Sequence, residues 1–334
     1  MENAVWRGLS FSVLLTLAGV TFALLVAEGI VRAIGLAPWT PLVVSPGAPV
    51  MTEADAKLGW RNRPGQYLYK TRPDQPNGIH VLVDPDGGRF TRSAAQGQPV
   101  WFLGGSFTFG WAVDDAQPFP QVFADARPDR PVKNYAVPGY GTVQSYLAYQ
   151  QRMVNNPARP ADVVYGFIER HVERNRGGRQ WLATLTRAAW PRGPIRLPYL
   201  GAGAGIEPPR SYRIWPLARF SALVNLVQNS YDREADRHLP DDAQASLLAL
   251  LNRWRREVEQ TGSRFHMIVL YDENRFMDYG QVFRRAGLDV IACAPTRYPA
   301  VDTQVPGDHH PNAGIHRLWG GCVARALTAE GGKE

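Results

Sequence analysis

The sequence is poor in cysteine: its 334 residues contain only Cys293 and Cys322, and these do not form a Cys-x-x-Cys pair. So few cysteines exclude a disulfide-rich scaffold, and the spacing gives no support for a structural zinc site or a thioredoxin-type redox centre. Both residues could be ordinary core residues, or they could pair with each other outside the cytoplasm. The sequence leaves these alternatives open, because spacing does not give separation in space.

The chain also lacks lysine-rich runs, internal repeats and low-complexity tracts. It has 37 basic and 30 acidic residues, which gives a formal net charge of +7, but no basic run is interleaved with aromatic residues. This pattern does not indicate a nucleic-acid partner and fits a general affinity for anionic surfaces such as lipid or an acidic polymer. Hydrophobic residues make up 45% of the chain, which excludes global disorder.

The longest uncharged run lies near the N-terminus. Residues 8–27 carry no charge, and twenty helical residues would extend about 30 Å, the thickness of a bilayer core. A secretory signal peptide has a shorter apolar region that ends at a small-residue cleavage site, which the following Glu28 disfavours; a buried core helix is the third possibility. We expect residues 1–35 to be a single-pass anchor in the inner membrane, with the rest of the chain on the periplasmic or extracellular side.

The remaining sequence predicts a linker over 36–64, rich in proline and small residues, and a domain over 65–330. A short alternating strand is expected within 78–93, before the turn Asp-Pro-Asp-Gly-Gly. Helical patterns, the clearest at 241–260, separate several later β-prone runs, which favours a parallel sheet covered on both faces. These runs are Val100 to Leu103, Asn134 to Val137, Asp162 to Ile168, Phe265 to Tyr271, and Leu288 to Ala292.

An insertion at about 176–240 interrupts the alternation of strands and helices. Its first part, 176–216, is rich in Gly, Pro and Arg and carries several Trp and Tyr residues. These side chains could line a substrate cleft or could cover the edge of the sheet, and the sequence does not decide between the two.

A serine follows the first core strand in the run Gly104-Gly105-Ser106-Phe107-Thr108-Phe109-Gly110. A serine on a strand-to-helix turn is a candidate nucleophile, because the turn exposes its Oγ near backbone N–H donors. The run differs from the Gly-x-Ser-x-Gly elbow of α/β-hydrolases, since Thr108 stands at the last glycine. The alternative is a simple glycine-rich turn.

Two later segments complete a candidate site. Gly139 follows the second strand and could offer its N–H to an oxyanion. Asp308 and His310 lie two residues apart near the C-terminus and could form a general base and its orienting carboxylate. A helix-capping cluster is one alternative; a metal site that also uses His309 and His316 is another. We expect neither a metal nor another cofactor, and His316 is expected on the surface of its helix.

Together these segments resemble the SGNH (GDSL-like) hydrolase superfamily, in particular membrane-anchored bacterial members with a lead-in of the form LGWRxRPG. Here the lead-in spans 58–65. The resemblance implies a three-layer, flavodoxin-like α/β fold with a mainly parallel five-stranded sheet. It also implies that Ser106 is the nucleophile, His310 the base and Asp308 its orienting group, with the N–H groups of Ser106 and Gly139 in the oxyanion hole.

One block departs from the family pattern Gly-x-x-x-Asn-Asp. Arg170 stands at the position of the Asn, whose side chain is a further oxyanion donor, and His171 stands at the position of the Asp. The guanidinium of Arg170 could replace the amide donor or bind an acidic substrate group, or it could form a surface ion pair with Glu169 or Glu173.

The sequence therefore predicts a membrane-anchored serine esterase or O-acyltransferase that acts on acyl esters, in particular O-acetyl groups, of a saccharide. The alternative is a non-catalytic, membrane-tethered protein on the same fold that binds a saccharide or serves in assembly. The expected partners are the ester substrate and the membrane, with no nucleic acid; the sequence identifies no protein partner.

Overall fold

A computed structural model of the chain describes residues 2–42, 50–69, 78–155, 158–189, 195–240, 242–271, 277–293 and 303–329. The fold is built around a five-stranded sheet with the order β11-β10-β7-β5-β6, in which all neighbouring strands are parallel. The strands of this sheet are β5 (Val100–Gly104), β6 (Val132–Asn134), β7 (Asp162–Ile168), β10 (Arg264–Tyr271) and β11 (Val290–Ile291).

Helices cover both faces of the sheet, as the continuous apolar strands predict. In β5, Trp101 and Leu103 face one cluster, and Val100 and Phe102 face the other, because successive side chains of a strand point to opposite faces. This arrangement confirms the predicted three-layer α/β fold. The helices are α1 (Glu2–Ala33), α2 (Ser106–Phe109), α3 (Phe119–Ala126), α4 (Thr142–Asn155), α5 (Arg170–Arg176), α6 (Arg179–Ala189), α7 (Ala222–Arg237), α8 (Ala243–Glu259), α9 (Tyr279–Arg285) and α10 (Ala313–Ala329).

Within the described residues, three antiparallel hairpins lie outside the central sheet. They pair β1 (Thr52–Asp55) with β2 (Gly59–Asn62), β3 (Gly65–Tyr69) with β4 (Ile79–Val83), and β8 (Arg196–Leu200) with β9 (Ile206–Ser211). β4 is the alternating strand expected after residue 78. The hairpin of β3 and β4 is joined to the edge strand β6 through single bridges at Arg89.

Two sequence-based boundaries are corrected. The linker predicted over 36–64 does not hold for residues 52–62, because they form the first hairpin, and Leu58 and Trp60 are buried in the main core. Proline and small residues are typical of a linker, but the large apolar side chains of Leu58 and Trp60 attach residues 52–62 to the domain. The strand predicted at 134–137 lies at 132–134 instead, and residues 135–137 are a buried irregular segment that leads into the turn at Pro138 and Gly139.

The N-terminal helix α1 contains a segment, Ser12–Ala33, of 22 residues that is long and apolar enough to cross a membrane. None of the apolar window in this segment is buried against the rest of the protein. Length and apolarity therefore meet the condition for an anchor, and a signal sequence would meet the same condition.

Candidate functional site

Ser106 lies at the carboxyl end of β5, on a turn that only glycine can form. At Gly104, which has φ +151°, a Cβ atom would lie 2.4 Å from Oγ1 of Thr108. At Gly105, a Cβ atom would lie 3.0 Å from both Nε2 of His171 and the carbonyl oxygen of Tyr140. The bare backbone therefore fits between its neighbours and starts the four-residue helix α2 at Ser106.

The loop that carries Asp308 and His310 is closed by its own backbone. The N–H of Val305 donates to the carbonyl oxygen of His310 at 2.7 Å, and the N–H of Asn312 donates to Thr303 at 3.1 Å. Between the two side chains, His309 adopts φ +65°, a left-handed conformation that is uncommon for residues other than glycine. This bend is part of the turn that brings the carboxylate of Asp308 onto the ring of His310.

The structure brings these two distant segments together. Nε2 of His310 and Oγ of Ser106 are 2.9 Å apart, within hydrogen-bond distance. Nδ1 of His310 is hydrogen bonded to Oδ1 of Asp308, and Nε1 of Trp111 donates to Oδ2 of the same carboxylate at 3.3 Å. The order serine, imidazole, carboxylate is the arrangement that activates a serine hydroxyl.

The environment keeps the Asp308 carboxylate ionised. Partial burial raises the pKa of Asp308. The hydrogen bond and charge of His310, together with the Trp111 indole, lower it by more, so the pKa lies below its ordinary value. A carboxylate that stays charged near neutral pH can hold the His310 ring in one orientation and stabilise the imidazolium after a proton transfer.

The Gly139 turn lies beside the Ser106 turn. The N–H of Val137 donates to the carbonyl oxygen of Gly104 at 3.1 Å, which joins the two segments. Among the residues that the structure describes, the N–H groups of Ser106 and Gly139 have no hydrogen-bond partner. Two unpaired donors on adjoining turns are what an oxyanion requires.

Trp60, from the lead-in segment, supports the Gly139 turn. Its Nε1 donates to the carbonyl oxygen of Pro138 at 2.9 Å, and its ring lies 5.4 Å from that of Tyr140, whose hydroxyl donates to the Trp60 carbonyl. Gly139 has φ +85°, and a Cβ atom there would lie 3.0 Å from the Trp60 ring. The lead-in therefore fixes one wall of the site. The resemblance named this segment without giving it a function.

The insertion borders the site through α6. A Cβ atom on Gly139 would lie 3.9 Å from Leu185. Trp181 of the same helix packs against the guanidinium of Arg174, which lies 4.8 Å from its ring centre. β8 of the insertion contacts the helical layer, where Leu197 is buried. Of the two roles that the sequence left open, a place beside the Ser106 site fits α6 better than covering the edge of the sheet.

His171, which replaces the family aspartate, is a buried structural residue. Its Nδ1 is hydrogen bonded to the hydroxyl of Tyr165 at 2.7 Å. Burial, and to a lesser extent the charge of Arg174, holds the pKa of His171 well below the ordinary value. The ring is therefore neutral. Among the described residues Nε2 of His171 has no hydrogen-bond partner, and it faces the Gly105 backbone.

Arg170 and Arg174 have different environments although they lie one helical turn apart. Arg170 begins α5 and is exposed, and its charge acts on Arg174. Arg174 is half-buried, and desolvation together with the charge of Arg170 lowers its pKa to about 10, so it remains charged at neutral pH. Its Nη1 donates to the carbonyl oxygen of Tyr140 at 2.9 Å and lies 3.3 Å from where a Cβ atom of Gly105 would be.

Arg174 lies outside the motifs that predict the site, although its spacing in the sequence carries a signal. Arg174 follows His171 by three residues, so both lie on the same face of a helix, and that face points to the Ser106 turn. The family pattern indicates Arg170 instead, because Arg170 stands at the position of the asparagine, whereas Arg174 lies four residues beyond that position.

A second missed arginine holds the segment after α2. The side chain of Arg89 is fully buried; it donates to the carbonyl oxygens of Phe109 at 3.1 Å and Val113 at 2.8 Å, and it pairs with Asp115 at 3.1 Å. These bonds bind the loop that carries Trp111 to the hairpin of β3 and β4. Nothing in the local sequence separates this arginine from the many that are exposed.

The metal alternative does not fit the geometry. Among the described residues, no group of three or more His, Cys, Asp or Glu side chains is placed to hold a metal ion. His316 was expected on the surface but is fully buried against Phe119 and Trp319. Its Nδ1 accepts the N–H of Phe119 at 3.2 Å, and burial lowers its pKa to about 3. His309 lies near Gln304, 3.3 Å from its side-chain oxygen.

The two cysteines, whose state the sequence left open, form a disulfide between the end of β11 and α10. Cys293 and Cys322 are 29 residues apart in sequence, and the closed ring contains Asp308 and His310. The disulfide therefore ties both ends of the segment that carries the imidazole to the body of the fold.

No protein-family model matches the chain, and no curated protein sequence is significantly similar to it. Solved structures that it matches include a member of the lipolytic protein G-D-S-L family from Veillonella parvula, with 12% identity, a TM-score of 0.37 and coverage of 69% of this chain and 98% of the other. A psychrotrophic esterase from Pseudoalteromonas gives 9% identity, a TM-score of 0.38 and coverage of 70% and 98%.

A catalytic mutant of an acetylxylan esterase from Geobacillus stearothermophilus gives 13% identity and a TM-score of 0.38, and the match covers 73% of this chain and 98% of that one. The G-D-S-L name is that of the superfamily that the sequence motifs resemble. Likenesses this distant assign no activity to this chain.

Proposed function

We propose that the protein is a serine-dependent ester hydrolase or O-acyltransferase that uses Ser106, His310 and Asp308. The observation that carries the proposal is the 2.9 Å contact between Oγ of Ser106 and Nε2 of His310, with the Asp308 carboxylate on the other ring nitrogen. The neighbouring N–H groups of Ser106 and Gly139 complete the set of groups that acyl transfer requires.

The reaction proceeds in two steps through an acyl-enzyme. Oγ of Ser106 attacks the acyl carbon while His310 takes the hydroxyl proton, and the N–H groups of Ser106 and Gly139 hold the oxyanion. The ester bond then breaks, and His310 gives its proton to the departing alcohol. In the second step His310 deprotonates the acceptor, water or a sugar hydroxyl, which attacks the acyl carbon. The bond between the acyl carbon and Oγ of Ser106 then breaks, and His310 returns the proton to Oγ.

We place Arg174 behind the oxyanion hole as a positioning residue. Its guanidinium braces the turn that follows Gly139, and its positive charge lies close to where negative charge develops. The proposal that Arg170 donates directly to the oxyanion remains the alternative; the exposed position of Arg170 favours a substrate contact over a place inside the hole.

An acyl ester of a saccharide is the substrate class we favour. Aromatic rings surround His310: the buried Phe107 lies 5.4 Å and the half-buried Trp111 lies 6.3 Å from its ring centre, and the half-buried Tyr69 lies 5.6 Å from Trp111. Aromatic faces with polar edges bind the apolar faces of sugar rings well, and short acyl groups such as acetyl need little further space.

We further propose that α1 anchors the protein in the inner membrane, with the catalytic domain on the periplasmic or extracellular side. The length and exposure of Ser12–Ala33 support the anchor. The disulfide of Cys293 and Cys322 supports an oxidising compartment. If carbonate washing strips the full-length protein from membranes, the anchor is excluded.

Turnover on defined esters tests the proposed activity. Purified full-length protein should release acetate from an O-acetylated oligosaccharide, and Ser106→Ala should abolish the release; adding an unacetylated oligosaccharide shows whether the acyl group passes to sugar or to water. Binding of the saccharide without any serine-dependent turnover would contradict the enzyme and favour the non-catalytic alternative.

A further inference from the structure

The end of α1 is fixed to the insertion by a capping interaction between distant segments. The carboxylate of Glu28 accepts hydrogen bonds from Oγ of Ser221 at 2.7 Å and from the N–H groups of Ala222 and Leu223 at 2.9 Å each. Arg32, one turn later, donates to the carbonyl oxygen of Phe220 at 2.8 Å. A side chain of α1 thus caps the start of α7, so the apolar helix leaves the domain in a defined direction.

The chain after α1 continues along the same part of the insertion. The N–H of Trp39 donates to the carbonyl oxygen of Ala218 at 2.8 Å, and Asn225 donates to the carbonyl oxygen of Ala37 at the same distance. The Trp39 side chain is buried, and the guanidinium of Arg219 lies 5.4 Å from its ring centre. Residues 28–39 are therefore part of the domain surface and do not form a free tether.

Two large apolar side chains beside this junction face solvent. Leu217 is 61% exposed and Phe220 is 74% exposed, in the turn that precedes α7. Ile34, at the end of α1, is 69% exposed as well. Exposed apolar residues that are grouped at one place usually mark a binding surface.

The position of this patch indicates what covers it. The apolar span of α1 ends at Ala33, next to the patch, so a bilayer around α1 would reach Leu217 and Phe220. Arg213 and Arg219, both exposed, flank the same turn and suit anionic headgroups. A large protein partner on the patch would have to share this space with the membrane.

We propose that the turn at 216–220 is a second membrane contact, in which Leu217 and Phe220 enter the interfacial layer of an anionic phospholipid bilayer and the neighbouring arginines bind headgroups. The proposal rests on the membrane anchoring proposed above. Two contacts, one through α1 and one through this turn, fix the tilt of the domain and so the height of Ser106 above the lipid. The N–H of Leu42 donates to the carbonyl oxygen of Arg187 at 3.1 Å, so the segment after the anchor also holds α6, which lies beside the Gly139 turn.

Depth measurements on the full-length protein test this contact. Single cysteines, Leu217→Cys and Phe220→Cys, are labelled with an environment-sensitive fluorophore under non-reducing conditions, which keep the native disulfide closed. The protein is reconstituted in vesicles of phosphatidylethanolamine and phosphatidylglycerol that carry a quencher at a shallow or a deep acyl position. Val154→Cys, at the far end of α4 and 84% exposed, is the aqueous control, and Val20→Cys in α1 reports the anchor.

We expect at least twofold quenching by the shallow quencher at positions 217 and 220, deep quenching at position 20 and none at position 154. Quenching at 20 without quenching at 217 and 220 would overturn the second contact and leave the anchor intact. A blue-shifted, unquenched label at 217 and 220 would show a protein partner on the patch and would also overturn it. No quenching at position 20 would overturn the anchor itself and the contact with it. Each labelled variant is checked for an unchanged melting temperature. Positions 217 and 220 are tested in separate variants, so each gives an independent measurement of the contact.

Discussion

The guanidinium of Arg174 donates to the carbonyl oxygen of Tyr140 at 2.9 Å, directly after the glycine whose N–H we place in the oxyanion hole. This bond ties α5, which follows β7, to the turn that follows β6. Arg170, which stands at the position of the family asparagine, is exposed. Arg174, one helical turn later, is half-buried and contacts the site.

Single substitutions of Arg174 and Arg170 distinguish the roles of the two residues. Arg174→Gln should lower kcat by about 10²-fold, in the range for loss of an oxyanion-stabilising group, with a smaller change in KM. Arg170→Gln should change kcat by less than about threefold and act on KM if it binds substrate. Steady-state kinetics on one ester measure both, and Arg174→Lys should restore part of the rate because it keeps the charge. The reverse ranking of the two variants would assign the oxyanion role to Arg170.

The Asp308 carboxylate should matter through the orientation and charge of the His310 ring. Asp308→Asn should lower kcat by roughly 10³- to 10⁴-fold, as loss of the orienting carboxylate does in a serine triad. His309→Ala is the matched control, because His309 lies between the two residues and its ring nitrogen lies near Gln304, away from Ser106. Ester hydrolysis assays of both variants provide the measurement; equal losses would show that the loop conformation matters and the carboxylate does not.

The left-handed conformation of Gly139 gives a prediction that uses a second glycine as control. Gly139→Ala combines φ +85° with a Cβ atom 3.0 Å from Trp60, so both stability and kcat should fall. Gly287→Ala has φ +78° with nothing within 4 Å, so it should cost only the backbone strain, about 1–2 kcal/mol, with activity intact. Denaturant unfolding and kinetics compare the two, and full activity in Gly139→Ala would remove this turn from the site.

A buried charged cluster at the amino ends of the strands makes stability depend on pH. His266 on β10 lies between Asp162, at 3.0 Å, and Asp289. Burial lowers the pKa of His266, but both carboxylates raise it more strongly, to about 9 from an ordinary 6.5. The stabilisation is therefore complete below pH 6.5 and is lost as pH rises to about 9.

We expect the free energy of unfolding to fall by about 2 kcal/mol across that interval, a value reduced from the full shift because the groups are coupled and Asp289 is partly exposed. His266→Gln should lower stability at pH 6 and flatten the pH dependence. His238→Gln is the control, because that ring is exposed. An unchanged pH profile in His266→Gln would exclude the cluster as its source.

Opening the disulfide should affect the site as well as the fold. The double substitution Cys293→Ser and Cys322→Ser should lower the free energy of unfolding by roughly 3–4 kcal/mol, the chain-entropy value for a ring of this length. Because the ring contains Asp308 and His310, kcat should fall at temperatures where the protein is still folded. Calorimetry and kinetics on the same sample check this. A stability loss with unchanged kcat would show that the loop is held by its own hydrogen bonds.

Much of the architecture could be predicted because it follows from local patterns. Five short apolar runs separated by helical stretches dictate a covered parallel sheet, and the structure places the ends of its strands within three residues of the ends of those runs. The segment of 52–62 was misassigned because its composition resembles a linker, whereas its attachment depends on Leu58 and Trp60 meeting residues far along the chain.

The candidate site could be predicted as far as its motifs extend. The sequence named Ser106, Gly139, Asp308 and His310, and the structure brings Ser106, Asp308 and His310 into contact. Arg89 and Trp60 could not be predicted in the same way, because their roles depend on carbonyl oxygens that only the tertiary fold brings near; the helical spacing of Arg174 from His171 was a usable signal. A buried guanidinium carries no local signal that separates it from an exposed one.

The central claim is that Ser106 is a nucleophile activated by His310. Intact-mass spectrometry of the full-length protein after treatment with a fluorophosphonate tests it most directly, with peptide mapping of the modified residue. We predict a single adduct on Ser106, lost in Ser106→Ala and slowed at least a hundredfold in His310→Ala. An adduct on another residue, or no adduct on folded protein, would contradict the claim.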